Sequence, residues 1–140
     1  VLDGLTGLTL PDYGGLKLSI HDACPVRERP KVHGAVRSLL KKMNIEALEP
    51  AKSGARSACC GDDFYGKLPL EEVHRLMKRR AVSMPSQDVL VYCVSCVKSM
   101  AVGGRSPRHL IDLIYGEPTD PGDTDTRRWH DALDEYIEAH

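Results

Sequence analysis

Long apolar runs are missing from the sequence. The longest uninterrupted stretches, such as Val89-Leu90-Val91, are only a few residues, against the roughly 20 required to cross a bilayer, so no membrane span is expected. Aromatic side chains are scarce at 5 %, with one Trp and one Phe, which excludes a base-stacking platform and a large aromatic pocket. An excess of either charge is absent too. Lys+Arg 19 against Asp+Glu 20, with no basic stripe, argues against nucleic acid as a partner. No cationic segment followed by an apolar run opens the chain, which starts with Val rather than Met, so it reads as part of a longer protein whose neighbouring domains lie beyond view.

What remains is a chain of 140 residues, enough for one domain with a core of small apolar side chains and no need of disulfide staples. Five cysteines cannot all pair, which fits poorly with a secreted disulfide framework. The expected setting is a reducing one, the cytoplasm, with attachment to any membrane complex only through partners. In that setting grouped cysteines are metal ligands or reactive thiols.

Residues 1–15 carry four glycines and one proline without periodicity and read as a linker or arm. Leu16 to His21 alternates apolar and polar residues, the period of a strand, and leads into Asp22-Ala23-Cys24. Val32, Val36, Leu39, Leu40 and Met43 recur at helical spacing after Pro30. Ile45 to Leu48 suits a short strand, and residues 51–58 form a loop delivering Cys59-Cys60-Gly61. A second helix begins near Pro69, with Leu70, Val73, Leu76, Met77 and Ala81 on its buried face. Residues 88–92 form a buried strand ending at Cys93, followed by a helix that stops at Gly103-Gly104. Ser106-Pro107 is expected to open another helix as cap and first residue. Residues 117–125 are a connector, and Trp129, Ala132, Leu133, Tyr136 and Ile137 line one stripe of a terminal helix expected to pack on its own domain.

Strands alternating with helices predict a small layered α/β domain with a mainly parallel sheet flanked by helices. Its boundaries are residues 16–116, followed by a connector and amphipathic helix over residues 117–140. In such folds sites gather at the carboxyl ends of strands, where Cys24 and Cys93 fall.

Thirty-four residues separate Cys24 from Cys59, thirty-two separate Cys60 from Cys93, and Cys93 and Cys96 form a CxxC. A CxxC at a strand-to-helix turn lets two sulfurs face one way while first-turn amides stabilise thiolate charge. A single cysteine is most often a small buried hydrophobe. Five of them grouped at turns and strand ends, with none elsewhere, read instead as one ligand set. Zinc takes four ligands, usually from two CxxC-like knuckles, and would leave a cysteine idle or exchange one for His. An iron-sulfur cluster larger than a cubane can use all five. A metal-free thiol-disulfide site at Cys93 and Cys96 leaves Cys59 and Cys60 unexplained.

His21-Asp22-Ala23-Cys24, Cys59-Cys60-Gly61 and Cys93-Val94-Ser95-Cys96 together resemble the cysteine-rich CCG domain, a family found in the heterodisulfide reductases and in the iron-sulfur subunits of glycolate and lactate oxidising systems. The resemblance covers roughly residues 16–115. It implies a non-cubane 4Fe-4S assembly of two fused units on Cys24, Cys59, Cys60, Cys93 and Cys96. Some members' motifs are associated with zinc. It also implies an oxidoreductase, a ferredoxin-like or flavin-containing electron donor among partner subunits, and a thiol or disulfide substrate. The heterodisulfide reductases carry two such motifs, whereas this chain has one. Asp62-Asp63-Phe64 follows Gly61 where relatives often have more glycines.

Around these motifs, His21 and Asp22 either orient Cys24 and supply a proton or serve strand-end hydrogen bonding. Asp62 and Asp63 are expected to cap a turn or face solvent, away from an anionic cluster. Arg56, Lys67 and Lys98 either compensate the charge of the cluster or are simply solvated, and are assigned no role. His33, His74, His109 and His130 lack ligand spacing to one another.

Overall fold

Alternation in β1 (Leu16–Ile20) sends Leu18 and Ile20 to one face of the sheet, both fully buried. The computed structural model describes residues 4, 7 and 9–140, and part of the stretch read as a linker lies outside them. Of that stretch, Tyr13 is tied down, its hydroxyl donating to the Leu113 carbonyl at 2.7 Å.

After β1 come α1 (Pro30–Lys42), β2 (Ile45–Leu48), α2 (Leu70–Val82), β3 (Asp88–Val91), α3 (Val94–Val102), β4 (Ser106–His109), α4 (Leu110–Tyr115) and α5 (Thr126–Ala139). The four strands form one all-parallel sheet in the order β2-β1-β3-β4, which makes the domain α/β as expected. Pro30 opens α1, where a missing N–H costs nothing. Pro69 sits one position earlier than expected, as the residue capping α2.

Ser106-Pro107 departs from expectation: it belongs to an edge strand, not a helix. Ser106–His109 pairs parallel with Asp88–Val91, and α4 starts only at Leu110, its Ile111 amide bonded to the His109 ring. A proline's missing donor is tolerated on an edge strand as readily as in a first helical turn, so the dipeptide did not discriminate between them.

Apolar side chains form two layers, one on each sheet face. Leu18, Ile20 and Leu90 meet Val36, Leu39 and Leu40 of α1 and Leu113 and Ile114 of α4. On the other face Val89 and Val91 meet Ala81 of α2 and Val97 and Met100 of α3, and Cys60 and Cys96 belong to this second layer. The chain leaves β1 for β2 on one side and returns to β3 on the other, so a crevice opens at the carboxyl ends of β1 and β3, where such sheets bind ligands. Cys24 and Cys93 lie just beyond those two ends.

Candidate metal centre

Asp22 organises the tip of β1. Its side chain, fully buried, accepts two bonds from the Arg37 guanidinium (3.0 and 2.9 Å), one from the Gly54 amide (2.6 Å) and one from the Tyr92 hydroxyl (2.8 Å). One carboxylate thus ties together the end of β1, α1, the loop before the double cysteine and the end of β3. Of the two roles open to Asp22, strand-end hydrogen bonding is the one the contacts display. Burial works against its ionisation, but the Arg37, Gly54 and Tyr92 donors outweigh this and hold its pKa at about 2. Because the folded value lies below the ordinary 3.8, the resulting stability is present above that value and disappears as pH falls through about 2. Urea denaturation should find Asp22→Asn weaker than wild type by about 2 kcal/mol at pH 6, the gap closing by pH 2.

Cys59 and Cys60 are delivered by the loop behind that anchor, and Gly61 allows them to sit against α2. Gly61 has φ +110°, and a Cβ there would lie 2.8 Å from both the Met77 backbone nitrogen and its Cγ. No other residue meets both demands. Gly61→Ala is therefore expected to cost about 2 kcal/mol or more, read as a lower urea midpoint, and to displace the double cysteine.

Cys93 ends the strand and caps α3, and Cys96 lies in that helix's first turn, its amide bonded to the Cys93 carbonyl at 3.0 Å. All five thiols are free. Their side chains neighbour one another in a single series, each close enough to shift the ionisation of the next: Cys24 with Cys59, Cys59 with Cys60, Cys60 with Cys96, and Cys96 with Cys93. The double cysteine is the middle of this series, joining the β1 side of the crevice to the β3 side.

Charge settles unevenly along it. The interaction with Cys24, then that with Cys60, draws the Cys59 pKa down. The Cys96 side chain, against the opposing effect of burial and with help from the Cys96 and Ser95 amides, lowers Cys93 to about 6. Cys24 and Cys96 rise, chiefly through their neighbouring sulfurs, Cys59 for the first and Cys60 then Cys93 for the second. Cys60 rises as well, so raised values at Cys24, Cys60 and Cys96 stand beside lowered ones at Cys59 and Cys93, the pattern of thiols too close for all to be charged at once, which a cation would relieve.

His21, not among the ligands expected from sequence, belongs to this site. A ring nitrogen of His21 and the sulfurs of Cys60 and Cys96 all lie within 4.8 Å of one another, and all three residues are buried. Burial and then Arg80 press the imidazole pKa down to about 3, so it is neutral. Arg80 is buried as well, donating from Nε to His21 Nδ1 at 3.2 Å, and from Nη2 to the Lys52 carbonyl at 3.0 Å and to Ser57 Oγ at 3.2 Å. This cysteine and histidine cluster can hold a metal ion.

Two expectations about the surroundings are corrected. Asp62 does not face solvent: it is buried and forms an ion pair with Lys98, which is itself fully buried rather than solvated. His130 Nε2 lies 3.1 Å from the same Asp62 oxygen and 3.2 Å from Lys98 Nζ, the ammonium sits 4.1 Å from the Trp129 ring centre, and Tyr65 stacks on His130. An ammonium that cannot reach water needs such partners. Asp63, Arg56 and Lys67 are exposed. The stripe on α5 packs on the domain only through its first turns, at Thr126, Trp129 and His130, while Leu133, Tyr136 and Ile137 are exposed. The docking is polar and local, so the apolar remainder of the stripe is left uncovered.

Among the described residues no helix is long and apolar enough to cross a membrane. Compared with protein-family models, curated proteins and solved structures, the chain matches none of them.

Proposed function

We propose that Cys24, Cys59, Cys60, Cys93 and Cys96 together hold one iron-sulfur assembly of the non-cubane 4Fe-4S type, in an electron-transfer domain of the cysteine-rich CCG kind. The domain serves an oxidoreductase resembling heterodisulfide reductase. Its partners are the subunits that supply electrons, ferredoxin-like or flavin-containing, and its substrate class is thiols and disulfides.

The observation that carries this reading is the unbroken series of five sulfurs across the crevice between β1 and β3. A single tetrahedral ion would use four of them. A multi-iron assembly uses adjacent cysteines such as Cys59 and Cys60 more readily, because its irons are spread over several ångströms. When bound, such an assembly supplies one-electron redox chemistry. The chain's own contribution is to fix the thiolates, through Asp22 and Gly61, and to exclude water from Cys60 and Cys96. A cavity of ≈ 540 Å³ adjoins Cys59, with Lys52, Phe64, Leu76 and Arg79 in its wall. It gives a reactant access to the sulfurs, and its cationic residues offset thiolate charge.

A zinc centre is the rival reading, supported by the proximity of His21, Cys60 and Cys96. Anaerobic incubation with ferrous iron and sulfide separates the two. The proposal expects broad visible absorbance and an electron paramagnetic resonance signal after redox adjustment. Stoichiometric zinc uptake with no such absorbance would reject it.

A further inference from the structure

His21 is a buried polar side chain of the crevice whose bonding is incomplete. Its ring is fully buried, Nδ1 faces Arg80 Nε at 3.2 Å, and Nε2 has no hydrogen-bond partner. A buried N–H or lone pair without a partner is costly, and an orphan on a ring packed beside the sulfurs of Cys60 and Cys96 calls for a ligand-bound explanation. Two roles would satisfy it: coordination of a metal through a bare Nε2, or donation of an Nε2–H to a sulfur.

Arg80 decides between them. A guanidinium has only donors, so the nitrogen it faces must be bare. A neutral imidazole carries one proton, which therefore sits on Nε2. Coordination through Nε2 would move that proton to Nδ1 and set it against the Arg80 N–H. Arg80 cannot easily swing away, because the bonds from its Nη2 to the Lys52 carbonyl and Ser57 Oγ hold it in place. The pattern is that of a side chain fixed in tautomer and orientation by a neighbour beyond it.

We propose that His21 is a positioning residue of the centre and not one of its ligands: Arg80 keeps Nδ1 bare, so that Nε2–H donates a hydrogen bond to the sulfurs around Cys60 and Cys96. This rests on the metal-centre reading above. An N–H donor to a thiolate or sulfide stabilises the more negatively charged, reduced state and raises the reduction potential. His21 lies on the second-layer face of β1, opposite Leu18 and Ile20 and on the side of Cys60 and Cys96.

The test uses the full chain loaded anaerobically with iron and sulfide, with [15N]histidine incorporated. In the wild type, pulsed electron paramagnetic resonance should find only weak coupling to a histidine nitrogen, transmitted through sulfur. His21→Gln should keep the wild-type iron and sulfide per chain, and His21→Leu should still load with iron and sulfide, though more weakly. The midpoint potential should fall in His21→Leu and fall less in His21→Gln, whose amide can still donate. Strong nitrogen coupling in the wild type, which requires no variant to fold, would make His21 a ligand and overturn the proposal. Loss of iron from His21→Leu and His21→Gln alike would do the same, as would variants with unchanged potential. A wild type that binds no metal would overturn the underlying reading and this one together, a result distinct from the others.

Discussion

Cys60→Ser, reconstituted anaerobically beside the wild type, should retain less than about one-tenth of the wild-type iron per chain. Even an outer-sphere partner typically changes metal affinity about 10–100-fold, and Cys60 is a central member of the sulfur series, with Cys59 on one side and Cys96 on the other. Cys60 is 3 % exposed and lies in the second core layer, so water does not readily take its place. Serine is nearly isosteric, and circular dichroism should show the fold intact. A separable loss of metal would therefore be chemical and not structural. Iron retained at the wild-type level would remove Cys60 from the ligand set.

The second large effect concerns stability. Asp62→Ala leaves the Lys98 ammonium, fully buried, without its carboxylate, and removing one partner of a buried pair typically costs about 3–5 kcal/mol. The Trp129 ring and His130 remain as partial compensation. The double variant Asp62→Leu with Lys98→Met exchanges the pair for apolar side chains and should recover most of the loss. Urea denaturation of Asp62→Ala and of the double variant measures this directly. Equal stability of Asp62→Ala and wild type would show that Lys98 finds water in solution. Because Lys98, Asp62 and His130 also anchor the first turns of α5, the single variant should release that helix, visible as faster amide exchange over residues 126–130.

Much of this architecture was legible in one dimension. Period-two alternation over residues 16–20 and the helical stripes of α1 and α2 are local signals, and the strand-helix alternation implied a parallel sheet, which the structure has. The placement of Cys24 and Cys93 at strand ends followed from the same pattern. Pro107 was ambiguous because an edge strand and a first helical turn both tolerate a missing donor. Asp62 was misread, and Lys98 carried no assignment, because a buried ion pair joining residues 36 positions apart leaves no local trace.

His21 and Arg80 did leave a trace. Counting by twos along β1 puts His21 on the face opposite Leu18 and Ile20, towards Cys60 and Cys96. Arg80 falls on the buried stripe of α2 with Val73, Met77 and Ala81, and a charge on such a stripe signals a buried polar partner. The α5 stripe failed differently: amphipathicity predicts that a face is covered, but not by what, and here the domain covers only its beginning.

The central claim is that five sulfurs make one site, and thiol protection counts them. Native alkylation followed by mass spectrometry should modify Cys24, Cys59 and Cys93 readily and the buried Cys60 and Cys96 slowly in metal-free protein, and none of the five in protein loaded with iron and sulfide. One cysteine still modified after loading would instead point to a four-coordinate ion, and protection limited to Cys93 and Cys96 would contradict a shared site altogether.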